Sequence, residues 1–259
     1  MLGAGRQPSV QQGLTGNISM EPLRVRTFGG LTLLVGGEPT TGTLTQRRRL
    51  ALLALLAVAR NRGLSRDKIL AYLWPESDAE RARHGLDQVL YAQRHHLGVP
   101  DLFLGRKTLR LNRTVITADV WEFEDALENG MPEVAVRCYT GPFLDGFFVK
   151  GAPGFERWAE DERDRLARGC ATALGSLASA ASALGDHRRA AEWWRRSAEV
   201  NPFDTETAVR LVEAWVAAGD RAAALRTAVQ HVERLRSDLG LEPDSRVVRL
   251  LEQLKTGTG

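Results

Sequence analysis

Apolar and polar residues alternate with a period of two through Leu23-Arg24-Val25-Arg26-Thr27-Phe28, the pattern of a strand with one buried face. Gly29-Gly30 interrupts it, Leu31-Thr32-Leu33-Leu34-Val35 resumes it and Gly36-Gly37 interrupts it again. The segment therefore reads strand, turn, strand, turn, with a short third strand expected near Thr40 to Leu44. From Thr45 the apolar spacing becomes helical. Thr45 is the expected N-cap of a helix carried by Arg49 to Arg60, with Leu52, Leu53, Leu55, Leu56 and Ala59 as its buried stripe and Asn61-Arg62-Gly63 as its end. Ser65 is placed to cap a second helix, Arg66 to Tyr72, which stops at Trp74-Pro75. Ser77-Asp78-Ala79-Glu80 has the form of a capping box, and a third helix follows from about Asp78 to Leu97, closed by Gly98. Phe103 to Leu111 then reads as a hairpin with Arg106 and Lys107 at its tip.

Beyond Asp119 the period-two signal nearly vanishes. Phe155 to Leu184, His187 to Val200, Asp204 to Ala218, Arg221 to Leu239 and Ser245 to Leu254 all read as helices, with a shorter helical hairpin near Trp121 to Tyr139. Gly185-Asp186 and Gly219-Asp220 mark two inter-helix turns 34 residues apart, the period of a tetratricopeptide unit. Ala190-Ala191 and Ala224-Leu225 stand at the same offset, where small side chains let paired helices approach. Pro202 and Pro243 close helices ahead of the next unit. The fold class expected is mainly α with small β: an N-terminal winged helix-turn-helix with antiparallel sheet and wing, then an all-α tetratricopeptide-like repeat domain. The expected division is a disordered tail over 1–20, a winged-helix domain over 21–119 and a helical domain over 120–255.

Charge changes this picture more than composition does. The chain of 259 residues carries a net charge of only +3. Residues 44–113, however, hold 14 Lys/Arg against 6 Asp/Glu, a local +8, while residues 114–259 hold 18 against 24, a local −6. A basic surplus confined to the winged-helix segment points to a nucleic-acid partner. Cys138 and Cys170 lack metal-ligand spacing and read as small buried side chains; no cofactor or metal is expected. No Walker loop, G-x-S-x-G or acid/base pair is present, so an enzyme is not expected. The first 20 residues lack the apolar stretch of a secretory signal, and the longest apolar run, Leu50 to Ala59, is too short to span a bilayer. No membrane partner and a cytoplasmic location are expected.

A recognition helix turns one face to the core and one to the major groove. In the third helix Ala82, Leu86, Val89, Leu90 and Leu97 fall on one face, and His84, Asp87, Gln88, Tyr91 and Arg94 fall largely on the other. Gln88 and Arg94 can pair bidentately with adenine and guanine edges. His84 and Tyr91 can reach phosphate or sugar, although Tyr91 equally suits the edge of the core. Arg47, Arg48, Arg49 and Arg66 would neutralise phosphates from the scaffold helices, and Arg106 and Lys107 from the wing. Arg47 to Arg49 open a helix, where positive charge opposes the macrodipole; either they serve a partner or they form a solvated face. Asp87 departs from the pattern, since a carboxylate facing phosphates is repelled, though it can accept from cytosine N4. In the helical half, Trp193 and Trp194 cannot both point the same way, a hint of a binding surface.

With these residues in hand the chain resembles the SARP-type (antibiotic regulatory protein) bacterial activators, an OmpR-like winged helix followed by a bacterial transcriptional activator domain. The resemblance rests on Leu31-Thr32-Leu33, Gln46 to Leu56, Leu73-Trp74-Pro75-Glu76, Ala82-Arg83-His84, Tyr139 to Phe147, Phe155-Glu156-Arg157-Trp158 and Asp238 to Asp244. It implies transcription activation by binding promoter repeats, contact with RNA polymerase, and a second copy side by side on tandem DNA repeats. It adds Arg83 to the DNA-contacting set. The third helix ends Gln93-Arg94-His95-His96, where many members carry a more basic run, so weaker phosphate affinity is expected. The competing reading is a protein-interaction scaffold whose winged helix has lost DNA binding.

Overall fold

The computed structural model describes residues 22–42 and 46–256. In chain order it holds β1 (Leu23–Arg26), β2 (Thr32–Val35), β3 (Glu38–Pro39), α1 (Arg47–Ala59), a 3-10 turn (Arg60–Arg62), β4 (Leu64–Ser65), α2 (Arg66–Leu73), α3 (Ala79–Leu97), β5 (Phe103–Leu104), β6 (Thr108–Leu111) and β7 (Ile116–Ala118). Helices follow: α4 (Asp119–Glu128), α5 (Pro132–Cys138), α6 (Pro153–Ala183), α7 (His187–Val200), α8 (Thr205–Ala217), α9 (Arg221–Leu239) and α10 (Ser245–Thr256). The expected fold class is the one found.

Two sheets frame the first half, one ordered β3-β2-β1-β7 and one ordered β4-β6-β5. A third strand falls at Glu38–Pro39, ahead of the expected Thr40 to Leu44, of which residues 43 and 44 lie outside the described residues. Gly36 and Gly37, both at positive φ, make a two-residue hairpin loop that pairs Val35 with Glu38, so pairing resumes directly after the turn. Thr45, the expected N-cap of the first helix, lies outside the described residues; Gln46, at the N-cap of α1, supplies no side-chain bond. The buried stripe expected on α1 is also too narrow. Every residue from Leu50 to Ala59 is buried, because α1 runs through the middle of the fold against β1, β6, α2, α3 and α4, and a helix apolar all round is a central one. Ser65 caps α2 through Lys68 N at 3.2 Å. The cap of α3 is Asp78, which accepts from Arg81 N at 2.9 Å, one residue later than the Ser77 box places it.

The core of the winged helix does not stop at residue 119. A single cluster of buried apolar residues extends from Leu23 through α1 to Leu177 in α6. Asp119, at the start of α4, fixes the join. Its carboxylate accepts from Thr27 N, Thr27 Oγ1, Phe28 N and Val120 N at 2.7–3.0 Å. Burial pushes this carboxyl up, and the four donors pull it the other way. Phe28 packs against Phe123, Tyr139 and Phe143, and Trp121 donates its indole N–H to Ala57 O at 2.6 Å. The segment after α5 returns to the first sheet, where Leu144 N donates to Thr27 O and Gly29 N to Pro142 O.

The two inter-helix turns of the repeat are built alike. Gly185 and Gly219 both take φ of 78°, a left-handed value that glycine adopts without a Cβ penalty. Asp186 N reaches back to Ala181 O and Asp220 N to Trp215 O. Each aspartate then caps the next helix, Asp186 through Arg189 N and Asp220 through Ala223 N. Ala190, Ala191 and Ala224 are fully buried where consecutive helices pack. Trp193 and Trp194 belong to this packing: Trp193 touches the main core and the smaller cluster around Ala190, and Trp194 lies over Gly175 of α6.

His231 of α9 is buried, with its Nε2 3.3 Å from Thr205 Oγ1. Burial, with Arg234 nearby, lowers its pKa below the ordinary 6.5, against opposing effects of the Pro202 carbonyl and Asp204. The unfolded chain therefore binds a proton here that the folded chain refuses, and folding stability is lost as pH falls through and below about 6.5. Melting temperatures of the wild type are expected to drop more steeply between pH 7.5 and pH 5.5 than those of His231→Gln; parallel curves would dismiss the effect.

Candidate nucleic-acid interface

The third helix sorts its side chains by a 3.6-residue period. Ala82, Leu86, Leu90 and Gln93 are buried, and Val89 and Leu97 are half-buried at the edge of the same face. Gln93 was not expected inside. Its amide donates to Arg49 O at 2.8 Å and ties α3 to α1; its position seven residues after Leu86 was the available signal. The opposite face presents Arg81, His84, Gln88, Tyr91 and His95, with Arg83 and Asp87 beside them, all exposed. Arg81 joins the set by its i, i+3, i+7 spacing to His84 and Gln88. Tyr91 is 69% exposed and does not cover the core; its ring stacks on His95 at 5.8 Å. Gln88 Nε2 lies 2.8 Å from His84 Nε2.

Arg66 joins this helix to the wing. Its Nη1 donates to Asp87 Oδ1 at 2.7 Å and its Nε to Arg106 O at 2.9 Å, while its backbone N–H donates to Lys107 O at 3.0 Å. Asp87 is therefore not a bare negative charge on the outward face of α3 but the anchor of a guanidinium. The wing turn needs Gly105: at φ of 88° a Cβ there would collide with Thr108 O. The turn leaves Arg106 and Lys107 exposed at the tip. Arg110 is exposed on β6, alternating with buried Leu109 and Leu111.

Arg94, Arg47 and Arg48, expected to contact phosphates or bases, find partners within the fold, and Arg49 lies outside the α3–wing surface. Arg94 is half-buried, donates to Phe103 O at 3.2 Å and lies over the Phe103 ring, because its position borders the buried Leu90–Gln93 edge. Arg47 donates to Phe148 O at 2.9 Å and stacks on the Phe148 ring at 4.2 Å. Arg48 donates to Leu73 O at 3.0 Å and faces the Trp74 ring. Arg49 is half-buried. Arg47 and Arg48, which open α1 against its dipole, thus hold the 143–151 segment and α2. Arg66, Arg83, His84, Asp87, Gln88, Tyr91, Arg106 and Lys107 share the α3–wing surface.

Among the described residues no cluster of His, Cys, Asp and Glu is placed to hold a metal ion, and no helix is long and apolar enough to cross a membrane. Cys170 is buried and its thiol pushed up to about 11; Cys138 is half-buried and raised by the same desolvation.

The sequence profile of the bacterial transcriptional activator domain family matches residues 118–255, more than half of the chain. The chain belongs to this family. Its members are transcription regulators rather than enzymes, and the SARP-type order of winged helix followed by bacterial transcriptional activator domain, expected from the sequence, is the order found. A solved structure of Mycobacterium tuberculosis EmbR, in complex with a low-affinity phosphopeptide, resembles the chain with a TM-score of 0.64 at 20% identity. The match covers 92% of this chain and 66% of the EmbR chain, and at that identity it shows the fold. No curated protein matches the chain.

Proposed function

We propose that this bacterial transcriptional activator domain protein binds duplex DNA through α3 and the wing, activates transcription by contacting RNA polymerase, and works in the cytoplasm as copies side by side on tandem promoter repeats. The DNA-reading part would be residues 21–119 and the activating part residues 120–255. The observation that carries the reading is the Arg66 bridge. It holds α3, with Gln88 and Arg81 exposed for base edges, in fixed relation to a wing whose Arg106 and Lys107 are free for phosphates. The local charge of +8 supports the same partner.

Anisotropy titrations with a random duplex test it. The affinity is expected to fall with salt, with a slope of about −0.9 per phosphate neutralised, and the double change Arg106→Ala, Lys107→Ala should make that slope shallower by roughly 2. Binding that ignores salt, or no binding at all, would leave the interaction scaffold as the better reading. Asp87→Ser removes a negative charge and releases Arg66, so non-specific duplex binding should tighten while discrimination between sites falls. Unchanged affinity would place Asp87 away from the DNA.

A further inference from the structure

A cleft of about 330 Å³ opens between β1, α4 and α5, on the outward side of the first sheet. It is lined by Arg24, Arg26 and Arg137, with Glu122, Asp119 and Cys138 among them. The acidic groups are already satisfied. Glu122 takes both nitrogens of Arg24 at 2.6 and 2.8 Å, which raises the Arg24 pKa, and Asp119 accepts from the four donors described above. The Cys138 thiol is pushed up by desolvation and stays neutral near pH 7. Arg26 and Arg137 remain. Both are exposed, and neither side chain has a hydrogen bond or ion pair with a described residue. They come from different elements, β1 and α5, to the same cleft, which lies at the small end of ligand-pocket sizes.

We propose that this cleft binds a phosphate-class oxyanion, either inorganic phosphate or the phosphoryl group of a small ester, held between Arg26 and Arg137. Guanidinium forks match phosphate oxygens bidentately. Two uncommitted forks present more N–H donors than the two oxygens of a carboxylate accept, and the three terminal oxygens of a phosphoryl group match them better. Glu122 occupies Arg24, and with Asp119 also in the lining the three arginines leave one net positive charge, with the forks of Arg26 and Arg137 uncommitted. The bound group would bridge β1 of the winged helix to α5 of the activator domain. This site lies apart from the α3–wing surface and does not depend on it.

The full chain is titrated, by calorimetry and by thermal shift, with sodium phosphate, glycerol 3-phosphate, sodium acetate and a short random duplex, each at matched ionic strength. Saturable binding of phosphate or the ester, with a rise in melting temperature, is the expected result, with acetate inert. Arg26→Gln and Arg137→Gln should each weaken the Kd about tenfold, and the double variant should abolish binding. Both side chains are exposed and without partners, so the ligand-free melting temperatures should stay at the wild-type value and confirm folding. The proposal is overturned by the absence of saturable phosphate binding, by an unchanged Kd in the double variant, or by acetate binding equally well. Duplex DNA that displaces phosphate in the wild type, and binds less tightly to the double variant, would assign the two arginines to the DNA backbone and overturn the small-ligand site.

Discussion

Asp119→Ala is expected to lower folding stability by about 3 kcal/mol. The substitution leaves the N–H groups of Thr27 and Phe28 buried without an acceptor, and each unpaired buried donor costs roughly 1–3 kcal/mol. Part of this is offset, because the desolvation that pushes the Asp119 carboxyl up disappears with the group. Asp119→Asn should be no milder: an amide keeps one acceptor oxygen but can turn N–H donors toward the N–H groups of Thr27 and Phe28. For a protein of this size the loss corresponds to a fall of about 10 °C in melting temperature. A variant that melts within about 2 °C of the wild type would show that these donors find water or another acceptor.

The second large effect concerns where the chain can be cut. A fragment of residues 22–118 contains every strand and all three winged-helix helices, yet it is expected not to fold, whereas residues 22–183 should. The cut removes Val120, Trp121 and Phe123, all buried against the winged helix, and strips Phe28 of its ring partners. Burial of each large apolar side chain contributes roughly 1.5–3 kcal/mol, so four or more such losses approach the whole stability of a small domain, about 5–15 kcal/mol. Circular dichroism and limited proteolysis of the two fragments decide it; a cooperative melt from residues 22–118 alone would show that the winged helix closes its own core. On this view residues 21–119, the DNA-reading part of the proposal, are not a folding unit.

The same packing explains which readings of the sequence survived. Strand and helix existence, the Ser65 cap, the Gly98 stop and the twin turns at Gly185 and Gly219 were legible because each depends on a few neighbouring residues. The basic cluster opening α1 was legible as an anomaly, positive charge at the wrong end of a helix dipole, but not as to its purpose. Arg47 and Arg48 find carbonyls and rings about 100 and 25 residues away, and no local pattern encodes such partners. Arg94 misled for a smaller reason: on a helix wheel it lies one step from the buried edge, and only the position of Phe103 decided which way it turned.

Asp87 carries the distinction furthest. By itself the sequence determined that a carboxylate would stand on the outward face of a third helix, in a segment with a surplus of eight positive charges, ahead of a helical array with a 34-residue period. These follow from residue period, charge and turn chemistry, which are properties of short stretches. Only the tertiary structure decided that this carboxylate meets Arg66, that Arg66 also holds the wing, and that one core joins the winged helix to α6. Those facts depend on the convergence of elements distant along the chain, and the free energy that selects them lies in burial and hydrogen bonding between elements, which a linear pattern does not contain.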